Sequence, residues 1–303
     1  MVAVFDWAMV TLLSSKPPVL IMLADAHILY QSDFYKITDF KCYCDLCSVS
    51  NVEYNESLCL SFIRKGFFGY RTFRRNDEVH AGRILISKPG YEHVATHIDG
   101  QPDITTVFEF TADFFKQIQE QYEQGGWFLK NNDIHSLLLQ SNPELDYLHN
   151  RIWKRIEKGN TAILQIDEMV IELLDRVMTI LTHAASVPVV TDSLKQYHLA
   201  TVENARAYIL ENFSNNISLQ QLARHCLVSP FHFSRVFKTI MNISPHQYLS
   251  GVRLNHAKVL LTTSGQSVTD VAFACGFNSL EHFVTAYRQR FKVSPSVHRN
   301  QLS

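Results

Sequence analysis

SLQQLARHCLVSPFHFSRVFKTIMNISP, Ser218 to Pro245, and SVTDVAFACGFNSLEHFVTAYRQRFKVSP, Ser267 to Pro295, are one unit written twice, about 50 positions apart. Once a single inserted Asn278 is allowed, Leu222-Ala223 falls on Val271-Ala272, Cys226 on Cys275 and Ser229 on Ser279. Phe233 then falls on Phe283, Phe237 on Tyr287, Lys238 on Arg288, and Ser244-Pro245 on Ser294-Pro295. Each copy predicts a short helix, a tight turn and a longer helix. The helix starts are written in capping residues. Ser218 with Gln221 and Ser244 with Gln247 fit capping boxes, Ser229 and Ser244 each precede a Pro at the first helical position, and Ser267, Ser279 and Ser294 are further N-caps. About seven helices are expected from Thr201 to the end.

In the longer helix of the first copy, Phe233, Val236, Phe237 and Ile240 follow the i, i+3, i+4, i+7 spacing of a buried face, and Phe231, Ser234, Arg235 and Lys238 occupy the other side. One side fixed in a core and the other offering donors is the division a helix-turn-helix needs. A single helix of this kind also fits an ordinary surface helix with solvated charges; the duplication favours DNA. Arg235 is expected to reach guanine O6 and N7, a contact worth about 1–3 kcal/mol of discrimination, and Lys238 a phosphate. In the second copy Phe283, Ala286 and Tyr287 face inward, leaving Leu280, Glu281, His282, Thr285 and Arg288 outside. Glu281 suits a cytosine amino group, and Leu280 or Thr285 a thymine methyl. Ser244 to Thr263 reads as one helix of roughly 30 Å. The major groove returns to the same face of the duplex after about 34 Å, so one rod can hold two reading helices in successive groove segments.

The charge is divided to match. From His198 to Ser303 there are ten Lys and Arg against four Asp and Glu, a net of +6, leaving −7 on the remainder. Such asymmetry points to a polyanionic partner for the basic half.

Upstream, ILYQSDFYKI (28–37), FKCYCDLCSV (40–49), SLCLSFIRKGFFGYRTF (57–73), RILISKPG (83–90) and TTVFEF (105–110) are rich in β-branched and aromatic residues and bounded by turn formers, as in a small antiparallel barrel or sandwich. From Asn142 the period becomes helical. NPELDYLHNRIWKRIEKG (142–159) ends at a Gly, and a second helix carries Ile163, Ile166, Met169, Val170, Leu173, Val177 and Leu181 on one side, predicting an antiparallel hairpin. The expected fold is therefore α+β in two domains: residues 18–183 as a β-barrel with a helical hairpin, 184–198 as a linker, and 199–303 as an all-α domain with two helix-turn-helix motifs. The apolar start of the chain carries Asp6, lacks a basic leading region and is broken by Lys16-Pro17-Pro18. It predicts neither signal peptide nor membrane span, hence a cytoplasmic protein with no membrane partner.

Six cysteines in 303 residues do not make a secreted disulfide framework. Cys42, Cys44 and Cys47 stand apart, because three thiols in six residues can bind Zn²⁺ or act as a thiol switch. They lack the paired spacing of a defined metal site, so no metal and no cofactor is assigned. His93 and His97 with Glu92 do not give the ligand spacing of a metal-dependent barrel enzyme, and no enzymatic role is expected.

The C-terminal hundred residues closely resemble the DNA-binding domain of AraC/XylS-type bacterial transcriptional regulators. The resemblance is carried by LA-x5-S-x3-F-x-R-x-FK from Leu222 to Lys238, R-x3-A-x2-LL from Arg253 to Leu261, DVAFACGF-x-S from Asp270, and F-x-V-SP-x3-R ending at Arg299. It implies base contacts from Phe231, Ser234 and Arg235 and from Leu280, Glu281 and Thr285. Leu227 stands where the first turn of that family has Gly, Asn242 and Lys292 stand at helix-ending Gly positions, and His298 replaces an aromatic residue. The strand-rich half resembles a cupin-type sensor domain through its layout, F-x-R-x-G-x-F (Phe62 to Phe68) and KPGYEH (Lys88 to His93). That resemblance implies a small-molecule effector in the barrel and a homodimer formed through the hairpin. The partners expected are double-stranded DNA, the effector, a second copy and RNA polymerase. The rival reading is a thiol- or zinc-dependent sensor, or a methyl-accepting DNA-repair regulator, using Cys42, Cys44 and Cys47.

Overall fold

The computed structural model describes residues 24–43, 49–72, 75–97, 102–122, 127–159, 163–183 and 198–300. Two antiparallel sheets build the N-terminal part. One runs in the order β1 (Ala24–Gln31), β2 (Tyr35–Cys42), β9 (Ile104–Phe110), β4 (Leu58–Lys65), β7 (Arg83–Ser87), β10 (Ser136–Gln140). The other runs β3 (Glu53–Asn55), β8 (Tyr91–His97), β5 (Phe67–Arg71), β6 (Asn76–His80). Helices α1 (Ala112–Gln121), α2 (Trp127–Lys130), α3 (Pro143–Glu157) and α4 (Ile163–His183) complete this part.

Strand alternation sorts side chains into layers. On β4, Leu58, Leu60 and Phe62 join Ile84, Ile86, Phe108 and Phe110 in a core closed by Leu145, Leu148 and Ile152 of α3 and by Ile166, Val170, Leu173 and Val177 of α4. The opposite face of the same strands sends Ile63 and Leu85 to a smaller core with Phe68, Tyr70 and Val79 of the second sheet. The result is a helix layer on a six-stranded sheet on a four-stranded sheet.

Several expectations change here. The described strands form two sheets rather than one closed barrel, because the chain leaves one sheet for the other at sharp bends. Gly66 takes φ +92° between β4 and β5, and Gly82 takes φ +89° between β6 and β7. A Cβ on Gly66 would lie 2.6 Å from the Asp103 Cα, so the bend is close-packed as well as left-handed. The apolar run 57–73 is thus two strands, and 28–37 divides at Ser32–Phe34. Strands β3, β6, β8 and β10 and helix α1 were not anticipated. NDEVH and YEHVATH carry too few apolar residues to show a period of two. In the hairpin, Ile163 is 65% exposed, while Ile166, Met169, Val170, Leu173, Val177 and Leu181 are buried against the six-stranded sheet. The stripe is therefore part of this chain's own core and is not a free dimer seam.

The C-terminal part is seven helices: α5 (Leu199–Asn212), α6 (Leu219–His225), α7 (Pro230–Met241), α8 (Pro245–Thr263), α9 (Val268–Ala274), α10 (Leu280–Phe291) and α11 (Pro295–Asn300). The anticipated caps form. Ser218 accepts from the Gln221 N–H and Ser244 from the Gln247 N–H in capping boxes, Ser267 pairs similarly with Asp270, and Ser229 and Ser279 cap α7 and α10. Each such cap contributes about 1 kcal/mol. Helix α8 serves two cores. Tyr248, Leu249 and Val252 pack with Phe233 and Phe237, and Leu254, Ala257 and Leu261 pack with Phe283 and Tyr287. The expected linker, apart from His198 at the start of α5, lies outside the described residues.

Leu227, Asn242 and Lys292 all take positive φ, at 57°, 60° and 63°. Asn tolerates this conformation; Leu does not, and its side chain is 93% exposed, so no packing compensates. Leu227→Gly is expected to raise stability by about 0.5–1 kcal/mol, the relief of strain less the entropy glycine adds to the unfolded chain. A urea midpoint that does not rise would refute it.

Candidate nucleic-acid interface

Helix α7 buries Phe233, Val236, Phe237 and Ile240 and leaves Phe231, Arg235 and Lys238 exposed with Ser234 half-buried. Phe231 is 79% exposed, an unusual position for so large an apolar group and one that suits contact with base edges. Helix α10 buries Phe283 and Tyr287 and exposes Glu281, His282, Thr285 and Arg288. Leu280 is half-buried and packs on the second core, so it is partly a core residue. Apart from Leu280 and the half-buried Ser234, the predicted residues are exposed on the outer side of their helices, and the two helices are joined by α8, whose 19 residues span roughly 28 Å.

The excess of basic residues is not all available to a polyanion. Arg253 donates to the Phe213 and Asn215 carbonyls, both at 2.7 Å, and so ties α8 to the turn that ends α5. Arg290 bonds Glu144 at 2.8 Å. Arg206 is buried in an ion pair with Asp146. Arg235, Lys238 and Arg288 are exposed on the reading helices, and His232 and His198 sit beside Arg235, with the two rings 4.7 Å apart. Burial first, then His232 and Arg235, lower the pKa of His198 below the ordinary histidine value.

Two of those internal bonds, Arg290–Glu144 and Arg206–Asp146, join the two parts of the molecule, and sequence reasoning missed them. Asp146 of α3 is 1% exposed and accepts from Ser141 Oγ at 2.6 Å, Tyr248 Oη at 2.6 Å, Arg206 Nε at 3.0 Å and Arg206 Nη2 at 2.5 Å. Burial alone would push the Arg206 guanidinium down; the Asp146 carboxylate reverses this and holds it above its usual value. Burial and then Asp146 raise the Tyr248 phenol well above its usual value. Around this triad, Tyr147 bonds His256 at 2.6 Å, the Gly66 N–H donates to Glu203 at 3.0 Å, and a Cβ on Gly251 would meet Pro143 at 2.7 Å. Tyr248, Gly251 and His256 all lie on α8. Helix α3 therefore grips the rod that separates the two reading helices.

Between the two sheets lies a cavity of about 470 Å³, within the usual range for small ligands. Its polar lining includes Lys36, Glu53, Tyr70, His93, Asp103 and Glu109. Lys36 pairs with Glu109 at 2.8 Å, and His93 with Glu53 at 3.3 Å. Asn55 donates to Tyr70 Oη at 3.0 Å. Burial pushes the Tyr70 phenol and the Cys59 thiol each up to about 12, so both remain neutral donors at neutral pH. Arg64 of the first sensor motif instead pairs with Asp39 and lies 3.9 Å from the Trp153 ring centre. Lys88 of the second is buried and donates to the Phe128 and Asn131 carbonyls at 3.0 and 2.6 Å.

Strand β2 ends at Cys42, which is fully buried. The expected grouping of Cys42 with Cys44 and Cys47 rests on two residues, Cys44 and Cys47, that lie outside the described residues. A fully buried Cys42 is out of reach of DNA, against that residue as a methyl acceptor. Cys226 and Cys275 occupy matching helix C-caps, as their repeat positions require.

Residues 222–301 match the family described as a helix-turn-helix domain. Over 90 residues the chain is 37% identical to the HTH-type transcriptional regulator ArgR of Pseudomonas aeruginosa, covering 30% of this chain and 27% of that protein. Among solved structures, a transcriptional regulator with an AraC-type DNA-binding domain from Chromobacterium violaceum is 30% identical, covering 34% of this chain and 92% of that one with a TM-score of 0.32. The DNA-binding domain of AdpA, in complex with a target DNA, is also 30% identical, covering 33% of this chain and 91% of that one with a TM-score of 0.33. The C-terminal domain is an AraC-type helix-turn-helix domain. The chain spans 27–35% of the length of the curated relatives it first matches. In this AraC-type domain Leu227 occupies the left-handed turn, and His298 bonds Tyr287 at 2.8 Å. No helix among the described residues is long and apolar enough to cross a membrane.

Proposed function

We propose that this protein is a sequence-specific DNA-binding transcriptional regulator whose two helices, α7 and α10, read adjacent major-groove segments under control of a small-molecule effector. The observation that carries the reading is the duplication itself: two capped helix-turn-helix units share one rigid α8, each with a buried aromatic face and an outward polar one. Arg235 reads a base, Lys238 and Arg288 meet phosphates, and Phe231, Ser234, Glu281, His282 and Thr285 complete the contact surface. The first helix supplies most of the affinity, because α10 offsets Arg288 with Glu281. The effector occupies the cavity between the sheets. Lys36 is already paired with Glu109 and His93 with Glu53, and Glu56 and Asp103 add further carboxyl groups, so the lining disfavours an anion and the favoured effector is an uncharged molecule with several hydroxyl or amide groups. Helix α3, with its apolar side in the sheet core and its polar side on α8, carries the signal. Self-association uses the outward side of α4, where Leu164 is 70% and Ile171 47% exposed, and RNA polymerase is the further partner.

The test begins with selection of preferred duplexes from a random pool, followed by titration of each variant at several salt concentrations. Arg235→Ala is expected to weaken the preferred duplex about 5- to 150-fold and relax preference at one base pair. Lys238→Ala is expected to weaken all duplexes alike and reduce the salt slope by about 1. Unchanged affinity and preference in Arg235→Ala would refute the assignment of the reading face.

A further inference from the structure

Three strand ends meet where the two sheets come together. Cys42 ends β2, His97 ends β8, and Asp103 immediately precedes β9. Their relative exposures are 0%, 1% and 2%, and one ligand atom from each lies within 4.8 Å of the others. A thiol, an imidazole and a carboxylate in contact, away from water, are an unusual set to bury, because any charge among them needs an oppositely charged neighbour.

We infer that Cys42, His97 and Asp103 form a binding site for one Zn²⁺ ion that clips the two sheets together. The donor set suits the ion: a borderline-soft metal takes thiolate, imidazole and carboxylate together, whereas Mg²⁺ and Ca²⁺ favour oxygen alone. The spacing suits it as well. Two ligands about 2.0–2.1 Å from a tetrahedral metal stand about 3.3–3.4 Å apart. His97 Nδ1 and Asp103 Oδ2 are separated by 3.4 Å, beyond the roughly 2.9 Å of a well-formed hydrogen bond and equal to that tetrahedral edge.

The ligands are also held in place. The Cys42 N–H donates to the Asp103 carbonyl at 3.0 Å, which fixes the two strand ends against each other. The bend at Gly66 packs directly on the Asp103 backbone. His97 lies opposite Phe68 in the β5–β8 pairing, so its ring position is set by the second sheet. Three protein ligands leave a fourth position for water or another donor. Asp103 also lines the 470 Å³ cavity, so the ion would sit at the cavity wall. The inference is independent of DNA reading, because its readout is metal binding.

The test uses the full-length chain stripped with chelator, one portion dialysed against Zn²⁺ for metal analysis and the other, metal-free, titrated with Co²⁺ as a spectroscopic probe. One ion per chain is expected, with the thiolate-to-cobalt absorption in the near ultraviolet and the strong visible bands of tetrahedral Co²⁺. Cys42→Ser and His97→Gln should each lower affinity about 100-fold or more, since loss of a ligand costs more than loss of an outer partner. The Cys42 variant should lose the near-ultraviolet band, and the Cys44→Ser/Cys47→Ser double variant should keep wild-type binding. Absence of a thiolate band or of stoichiometric metal in the unaltered chain would overturn the site. So would a band that survives Cys42→Ser but disappears in the double variant. Should Cys42→Ser fail to fold, the unaltered chain and His97→Gln still decide between these outcomes.

Discussion

Asp146→Ala is expected to destabilise the protein by about 3–5 kcal/mol, among the largest effects of any single substitution outside the hydrophobic cores. The wild-type carboxylate accepts four hydrogen bonds in a site from which water is excluded. Its removal leaves the Arg206 guanidinium buried without its hydrogen-bonded counter-charge, and that poorly compensated charge dominates the cost. The attraction between Asp146 and Arg206 is a smaller quantity, since burying both groups already cost most of what their pairing returned. Two variants separate these terms. Asp146→Asn keeps the shape and part of the hydrogen bonding but not the charge, and should fall between wild type and Asp146→Ala. The double variant Asp146→Leu/Arg206→Met removes both charges and should recover most of the loss. Urea titration of the four proteins checks the order. Equal midpoints for wild type and Asp146→Ala would mean that the triad is not buried in solution. Because the triad joins α3 to α5 and α8, Asp146→Ala should also split unfolding into two transitions, the sheet domain separating from the helical one.

The contrast between that triad and the helix caps explains what could be read in advance. Ser218, Ser229, Ser244, Ser267 and Ser279 each act on the N–H three residues on, so their roles are local and visible as sequence patterns. The faces of α7 and α10 were legible for the same reason, a period of 3.6 residues. Leu227 was legible because it stands where the resembled family has Gly in the first turn, and its backbone is left-handed. Asp146 behaves differently. Within its own helix it is an acidic residue in the first turn, an ordinary arrangement near a helix N-terminus. Its partners lie 60 and 102 positions away, at distances that no local pattern encodes. His97 and Asp103 escaped for a related reason. His97 stands with Glu92 and His93 in a spacing along one strand that suits no metal, whereas Cys42, His97 and Asp103 are brought together by the ends of three strands. Strands β6 and β8 were missed because NDEVH and YEHVATH hold too few apolar residues for a period of two to show.

Gly276→Ala is expected to cost at least about 3 kcal/mol, although the matching position in the first copy carries a leucine. The two turns have the same hydrogen bonds. Leu227 N–H reaches the Arg224 carbonyl at 3.1 Å and Val228 N–H the Ala223 carbonyl at 3.0 Å; Gly276 reaches Phe273 at 2.9 Å and Phe277 reaches Ala272 at 3.1 Å. This is the pairing of a Schellman helix end in both copies, and both residues have positive φ, 57° and 83°. Strain alone, about 1–2 kcal/mol, would therefore be similar. The surroundings differ. Leu227 points into solvent, whereas a Cβ on Gly276 would lie 2.5 Å from the Ser214 carbonyl oxygen and 3.0 Å from that of Phe213. Those are backbone atoms at the end of α5, and the Phe213 carbonyl is held by Arg253 of the rod, so they have little freedom to retreat. The clash adds to the strain, and the small entropic gain of replacing glycine, about 0.4–1 kcal/mol, does not offset it. Because the contact joins the second unit to α5 and α8, Gly276→Ala should displace α9 and α10 while leaving the first core intact. Binding to a duplex carrying both half-sites should fall toward the affinity for one carrying only the α7 half-site, with preference lost at the α10 segment alone. Urea unfolding and selection from a random pool measure the two effects. A Gly276→Ala protein as stable as wild type, or one that loses preference at both segments equally, would contradict this division between the two units.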